Sequence, residues 1–245
     1  MTEINLPSWK AFKAEIGQAM FGSRSTMGEL MFRGQAIAGW PMQASFDRAW
    51  VKADKPARDL AAEYVRYLEF FRLLNARQGR DLSLLSSSEL SALAQHYGMP
   101  TRLLDWSLSP YMAAFFAFYY RYMAFPQHPD RHVAIWAVDV AGFQTALGHC
   151  FDVVVTDASK NPRLSSQVGK FTYARSDQHD LGYELERAEL DFPSLFWKIV
   201  LPASEAEVAL QDLILMGISP SDIYPDFQGV ADYVRLRMRF EGLGV

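Results

Sequence analysis

The sequence predicts one α+β domain over residues 1–245, in which an N-terminal helical part precedes a central mixed or antiparallel sheet. Helical spacing of apolar residues prevails in the first half of the chain, whereas short runs of strand composition are concentrated in the second half. The chain is 50% hydrophobic over 245 residues, which is enough to bury one substantial core. No repeat, low-complexity tract or linker divides the sequence, so a single domain is the simplest organisation.

Four segments of the first half carry local signals for their structure. Apolar residues at helical spacing follow a candidate serine N-cap and predict a helix over residues 9–20. Residues 29–34 have the composition of a short strand that ends at glycine. An apolar stripe predicts a helix over residues 59–75. A capping-box pattern predicts another helix over residues 86–97, which a glycine and a proline then end.

The second half combines two kinds of signal. A Ser-Pro pair opens a predicted helix over residues 109–123, with proline at the favoured first position. Ser204 and Glu207 have capping-box spacing and predict a helix that runs through Met216. Residues 228–239 form the last predicted helix. Strand composition is found at residues 132–139, 151–156, 170–174 and 195–201.

The charge balance limits the kinds of partner. The net charge is −4 and charged residues make up 21% of the chain. A surface that coats nucleic acid needs clustered Lys and Arg to neutralise phosphates, so that class of protein is disfavoured, although a local basic groove stays open. The chain also lacks the glycine-rich GxGxxG and GxxxxGKS patterns, so neither nucleotide-binding fold that uses them is indicated.

Cysteine and histidine usage predicts a protein without a metal site. The one cysteine, Cys150, excludes an intramolecular disulfide and a zinc site built from several cysteines, and the histidines lack metal-ligand spacing. A reducing, cytoplasmic environment suits this pattern best. Residues 1–13 lack the features of a signal peptide. The most apolar segment, residues 111–125, is shorter than a membrane span and contains Arg121, which favours a buried helix and no membrane partner.

The densest group of functional side chains lies in residues 93–117, between two apolar helical patterns. A plain connection rarely needs so many donors, acceptors and rings together, so we interpret this run as the wall of a pocket. The side chains expected to face a ligand are His96, Tyr97, Thr101, Arg102, Asp105, Trp106 and Ser107.

Arg33 stands at the end of the first predicted strand, next to Gly34. Its planar guanidinium suits a phosphate, which it binds through two parallel hydrogen bonds. The adjacent glycine lets a ligand or another backbone approach closely. The alternative is a solvated arginine, or one that pairs with a neighbouring carboxylate.

His96 and Asp105 also have two interpretations each. His96 ends a predicted helix, where its ring either caps a terminal carbonyl or contacts a ligand and moves a proton near neutral pH. Asp105 follows an apolar pair that predicts a strand. It either pairs with Arg102 or caps the next helix, or it forms a cleft together with Trp106, whose ring would offer a stacking face. Helix N-termini such as the one that follows are ready sites for phosphate.

Residues 157–169 have the composition of a polar loop, and Gln167 lies in it before a predicted strand. A surface turn explains this loop equally well. No Ser-His-Asp or Cys-His arrangement stands out, because Cys150 has no positioned base in sequence.

These motifs together resemble the FRG domain family. The resemblance covers a core of about residues 30–234, within a single domain of residues 1–245. Its longest and most specific motif spans residues 95–107. The other matching positions are residues 32–35, Trp40, Ser109, Pro110, residues 113–117, Arg163, Gln167, Gly169, Phe171, residues 217–218, residues 223–226 and Gly229.

The resemblance implies an ADP-ribosyltransferase-like fold and activity, because the order of motifs is similar to that of those enzymes. Arg33 would be the early-strand residue that holds NAD, and residues 105–107 with the following helix would form the nicotinamide cleft. Gln167 would take the place of the later glutamate or glutamine. The implied catalytic residues are Arg33, His96 and Gln167. The implied NAD-binding residues are Arg33, Gly34, Tyr97, Thr101, Arg102, Asp105, Trp106 and Ser107.

The resemblance leads us to expect an NAD-dependent ADP-ribosyltransferase that modifies a protein or nucleic-acid acceptor. A toxin in conflict between bacteria and phage, with an antitoxin as partner, is the setting that it implies. The alternative is a module that binds a nucleotide or phosphate ligand without turnover, since an amide, Gln167, stands where a glutamate is usual. A hydrolase or nuclease that uses His96 and Asp105 is a third hypothesis, but no second carboxylate has metal-binding spacing.

Overall fold

The structure is a computed structural model that describes residues 2–21, 29–154, 169–175, 177, 180–188 and 196–244. Within these residues, one seven-stranded mixed sheet is combined with ten helices. This confirms the predicted α+β class and the mixed sheet. The strands are β1 (Thr2–Asn5), β2 (Leu30–Gln35), β3 (Leu103–Ser107), β4 (His132–Asp139), β5 (Phe151–Val154), β6 (Gly169–Ala174) and β7 (Phe196–Pro202).

The helices surround this sheet and include several that the sequence pattern did not reveal. The first strand, β1, was missed as well. The helices are α1 (Trp9–Phe21), α2 (Ser45–Lys52), α3 (Leu60–Arg77), α4 (Ser87–His96), α5 (Pro110–Ala124), α6 (Val140–Leu147), α7 (Leu181–Ala188), α8 (Ala206–Leu215), α9 (Pro220–Ile223) and α10 (Phe227–Phe240). Among them α2, α6, α7 and α9 had no counterpart in the sequence prediction.

The sheet has the order β1-β7-β4-β2-β3-β6-β5. Only β1 and β7 run parallel, and the other neighbours are antiparallel. β2 pairs with β4 along its whole length, and β3 pairs with β6 in the same way. By contrast, β2 and β3 are joined at a single pair, Phe32 with Ser107. The sheet therefore consists of two well-paired halves that meet at one point.

Helices cover both faces of the sheet. On one face, α1, α5, α8 and α10 pack against a layer that includes Phe32, Ile135 and Ile199. On the other face, α6 and α7 pack against Met31 and Trp136 with their neighbours. A third apolar cluster lies under α3 and α4 and contacts the half of the sheet formed by β3, β5 and β6.

Local capping signals were confirmed at some helices and wrong at another. Ser86 and Glu89 form the predicted capping box of α4. Ser109 accepts a hydrogen bond from the Met112 amide at the start of α5. The capping box predicted at Ser204 was wrong, because residues 203–205 form a 3₁₀ turn and α8 begins only at Ala206.

Candidate functional site

A cavity of about 810 Å³ opens where β2 and β3 separate beyond their single pair. Its volume lies within the ~300–1,000 Å³ typical of sites for small molecules and cofactors. We call this cavity the cleft. Its wall combines the end of β2, the segment before α2, the end of α4, strand β3 and one side of α5. The polar and charged lining residues are Arg33, Gln35, Gln43, Arg48, Gln95, His96, Asp105 and Ser107, and the aromatic ones are Phe32, Trp40, Trp106, Phe116, Tyr120, Phe125, Phe171 and Tyr224.

Arg33 joins the two halves of the sheet across the cleft. Its Nη1 atom donates a hydrogen bond of 2.7 Å to the backbone carbonyl of Asp105 on β3. The same nitrogen lies 3.9 Å from the Asp105 carboxylate. Burial lowers the pKa of Arg33; the nearby carboxylate of Asp105 opposes this shift and the charge of Arg48 adds to it. Arginine stays protonated even so, and the cleft therefore holds a fixed positive charge.

Asp105 is the carboxylate of the cleft. Its Oδ1 atom accepts a hydrogen bond of 2.7 Å from Nε2 of Gln95. Although 56% of its side-chain surface is accessible through the cleft, the cleft walls displace bulk water around it. This desolvation raises the pKa of Asp105, and the positive charge of Arg33 opposes the shift without cancelling it.

Gln95 is held in one orientation by a second hydrogen bond, which it accepts from Thr101. The hydroxyl of Thr101 donates to Oε1 of Gln95, so the amide nitrogen of Gln95 points towards Asp105. Thr101 itself is fully buried, and Oγ of Ser45 in α2 accepts from its backbone amide. A chain of hydrogen bonds therefore runs from α2 through Thr101 and Gln95 to the cleft carboxylate.

Gly34 allows α5 to lie directly on β2. A Cβ atom at this position would come within 1.9 Å of the Ala113 carbonyl oxygen and 2.7 Å of the Ala117 amide nitrogen. Of the two close approaches considered from sequence, the structure therefore shows that of another backbone. Gly34 also lines the cleft, and a contact between Gly34 and a ligand stays a prediction.

The cleft carries more positive than negative charge among its described residues. Arg33 and Arg48 contribute fixed positive charges, His96 stands at the end of α4, and Asp105 contributes the one negative charge. Arg48 donates to the backbone carbonyl of Gln43 at 2.5 Å, which holds it at the rim. Guanidinium groups bind phosphates through charge-assisted hydrogen bonds, so this balance favours an anionic ligand.

Aromatic rings form the outer wall of the cleft. Trp40 is 37% exposed and meets Phe125 edge to face, with 4.8 Å between the ring centroids. Burial raises the pKa of the Tyr120 hydroxyl on α5, and the neighbouring hydroxyl of Tyr224 opposes this shift. These two tyrosines also line a neighbouring cavity of about 500 Å³ beside α10. Sequence reasoning noted Trp40 and Tyr224 only as motif positions and missed Tyr120, Phe125 and Arg48.

Several residues predicted to face the ligand lie elsewhere. Arg102 is 1% exposed and forms a buried ion pair with Asp47, with 2.8 Å between Nε and Oδ1. The predicted alternative in which Arg102 pairs with Asp105 was therefore wrong. Tyr97 is 74% exposed and lies outside the cleft lining, where its ring meets that of His96. Thr101 does not line the cleft, and its hydroxyl instead donates a hydrogen bond to Gln95.

Trp106 and Ser107 line the cleft but present little surface to it. Trp106 is 2% exposed, and its Nε1 donates to the hydroxyl of Thr172 at 3.0 Å. Ser107 is 5% exposed, and its Oγ accepts from the amide of Ser109. The structure thus brings Arg33, His96 and Asp105 to one cavity. Gln167, the third predicted catalytic residue, lies outside the described residues, as does Arg163.

The described part of the chain lacks two features. No group of three or more His, Cys, Asp or Glu side chains there could hold a metal ion. No helix there is long and apolar enough to cross a membrane.

Comparison with known families identifies the segment that builds the cleft. The sequence model of the FRG domain matches residues 28–123. Residues 28–123 are therefore similar to the FRG domain. The matched segment runs from just before β2 to the last turn of α5, so β2, β3 and nearly all of α5 lie within it. Phe125, Phe171 and Tyr224 line the cleft from outside that segment. No curated protein and no solved structure matches the chain.

Proposed function

We propose that the cleft binds NAD and that the protein transfers the ADP-ribose group of NAD to a protein or nucleic-acid acceptor in the cytoplasm. The observation that carries this proposal is the meeting of Arg33 and Asp105 from two separating strands, inside a cavity of about 810 Å³. Opposite charges on the two walls, with aromatic rings at the rim, suit a ligand that contains phosphates, sugar hydroxyls and flat rings.

Each part of that ligand has a candidate partner. Arg33, with Arg48 nearby, supplies guanidinium donors for the pyrophosphate. Trp40 and Tyr120 offer accessible ring faces for the nicotinamide or the adenine. They replace Tyr97 and Trp106, which the sequence had suggested for stacking and which lie outside the cleft or buried in its wall.

The transfer itself needs a good leaving group and a proton acceptor. The bond between nicotinamide and ribose breaks, nicotinamide leaves with the bonding electrons, and the acceptor bonds to the same ribose carbon as it loses a proton. His96 lines the cleft at the end of α4 and is our candidate to take up that proton. Gln167 keeps its proposed place as the third catalytic residue.

The test combines binding with turnover. Purified protein is titrated with NAD by calorimetry and then incubated with radiolabelled NAD and a cell lysate. We expect NAD binding and either label transfer or nicotinamide release. Arg33→Gln should weaken binding about tenfold or more, because it removes charge-assisted hydrogen bonds. The matched control is Arg58→Gln, which removes an arginine that is 86% exposed and outside the cleft lining. Equal binding by both variants would contradict the proposal.

A non-catalytic module that binds a nucleotide or phosphate ligand is the second candidate. One observation favours it: among the described residues that line the cleft, the carboxylate is that of an aspartate already bonded to Gln95, and no glutamate is present. Tight NAD binding without nicotinamide release in any lysate would support this candidate over the transferase.

The proposed setting is a toxin in conflict between bacteria and phage, controlled by a partner antitoxin. Expression of the wild-type chain should then slow bacterial growth, and the slowing should disappear in Arg33→Gln but persist in Arg58→Gln. Growth inhibition that is identical in all three would argue against toxicity through the cleft.

A further inference from the structure

We propose that Asp105 binds a ribose hydroxyl of the ligand, so that the cleft selects ribose-containing dinucleotides over their deoxy counterparts. This inference rests on the proposed function and names a contact that the sequence motifs left unassigned. It depends on the hydrogen bonds that Asp105 already makes and on the one that its geometry leaves open.

The two oxygens of the Asp105 carboxylate differ in their surroundings. Oδ1 accepts from Gln95 at 2.7 Å. Oδ2 lies 3.9 Å from Nη1 of Arg33, which is too long for a hydrogen bond. Gln95 is the one described side chain that donates to this carboxylate, and the Asp105 backbone amide adds a local hydrogen bond. The side chain lines the cleft and is 56% exposed. The carboxylate therefore offers an unfilled acceptor to whatever enters.

A carboxylate oxygen binds groups that donate hydrogen bonds. It accepts hydrogen bonds and cannot donate them when ionised, so it repels phosphates and attracts hydroxyl or amino groups. The 3.9 Å between Arg33 and Asp105 means that the groups bound by the two residues are close neighbours in the ligand. In a nucleotide the sugar is joined to the phosphate through one carbon, whereas the amino group of a base is several bonds farther away. A sugar hydroxyl is therefore the donor that fits.

The acceptor is also held in place before a ligand arrives. Thr101 fixes the amide of Gln95, and Gln95 fixes Oδ1 of Asp105. The orientation of Oδ2 then follows from the planar geometry of the carboxylate. Hydrogen bonds to charged groups in water-poor surroundings are stronger than those in bulk water, so a hydroxyl that meets Oδ2 contributes measurably to affinity.

The experiment measures affinity by calorimetry for three ligands: NAD, NAD without the hydroxyls of the nicotinamide ribose, and NAD without those of the adenosine ribose. The proteins are wild type, Asp105→Asn and the control Asp59→Asn. The Asp105→Asn variant keeps an oxygen for Gln95 but points an amide at the cleft. Asp59 is similarly exposed, at 52%, and lies outside the cleft lining. Circular dichroism checks that all three proteins are folded.

We expect wild type and Asp59→Asn to bind one of the two deoxy ligands about ten- to a hundredfold more weakly than NAD, the size of a hydrogen bond to a charged group. Asp105→Asn should lose most of this discrimination, because a neutral amide makes a weaker hydrogen bond to a hydroxyl than a carboxylate does. The ligand that loses affinity identifies which ribose meets Asp105.

Two results would overturn the inference in different ways. If wild type binds NAD but Asp105→Asn discriminates between NAD and the deoxy ligands as strongly as wild type, Asp105 does not bind the hydroxyl, while the proposed function stands. If wild type binds none of the three ligands, the proposed function fails and this inference fails with it.

Discussion

Replacing Arg102 with methionine separates a structural from a ligand-binding role for this residue. Arg102 and Asp47 are 1% and 2% exposed, and their side chains are joined by a 2.8 Å hydrogen bond. Arg102→Met leaves the buried carboxylate of Asp47 without its guanidinium. Removing one partner of a buried ion pair destabilises a protein by about 3–5 kcal/mol. For a domain of this size each kcal/mol lowers Tm by about 2–4 °C, so a fall of roughly 6–20 °C is expected.

A double replacement controls for the loss of arginine itself. Asp47→Leu combined with Arg102→Met removes both charges, and buried ion pairs that are replaced by apolar residues of similar size are often neutral in stability. We therefore expect the double variant to recover most of the lost Tm. Thermal and urea unfolding followed by circular dichroism supply the measurement.

Ligand binding gives the second readout for this pair. Arg102 is outside the cleft lining, so Arg102→Met should bind NAD like wild type at temperatures where it is folded. The reasoning is refuted if the single variant melts within about 2 °C of wild type. It is also refuted if the folded variant has lost NAD affinity.

Three further outcomes follow from the geometry of the cleft and its helix. Gly34→Ala forces a Cβ against the backbone of α5 and should lower the free energy of unfolding in urea by at least about 1–3 kcal/mol. At the control position Gly39, a new Cβ meets only a movable carboxylate at 3.1 Å, so Gly39→Ala should lower it clearly less. Equal losses of unfolding free energy in the two variants would contradict this account. The folded state raises the pKa of Asp105, so the wild type loses stability as the pH rises from the unfolded-state pKa through the folded-state pKa. Asp105→Asn should therefore unfold at a higher urea concentration than wild type at pH 7, and this difference should vanish below about pH 3.9. A difference that stays constant at all pH values would count against this account. Ser109→Ala removes the side-chain N-cap of α5 and should lower the free energy of unfolding by about 1 kcal/mol in the same assay. An unchanged unfolding free energy would show that the cap does not stabilise the protein.

Elements with strong local signals were predicted well from sequence. The capping box at Ser86 and the Ser-Pro pair at residues 109–110 each fix a helix start through neighbouring atoms. The 3₁₀ turn at residues 203–205 overrode the same kind of signal at Ser204. β1 was not predicted because it is stabilised by pairing with β7, which lies far away in sequence: Thr2 pairs with Trp197.

In the candidate site, too, local signals were predicted well and contacts with distant segments were missed. The run of residues 93–117 was interpreted as a pocket wall, and its members Gln95, His96 and Asp105 line the cleft. Missing α2 hid the partners of two others: Ser45 accepts from the Thr101 amide, and Asp47 pairs with Arg102. Residue type alone does not show whether a charged side chain will face a ligand or a buried partner from a distant segment.

The single pair between β2 and β3 has a consequence for how the protein folds during synthesis. Within the segment of residues 28–123 that matches the FRG model, these two strands meet only at Phe32 and Ser107. Their full-length neighbours, β4 and β6, both follow residue 123 in the chain. Strand pairing across such sequence distances is slow because loop closure must come first. During synthesis, residues 28–123 therefore emerge from the ribosome before the strands that flank β2 and β3 have been made. The cleft can form only after the second half of the chain has been synthesised.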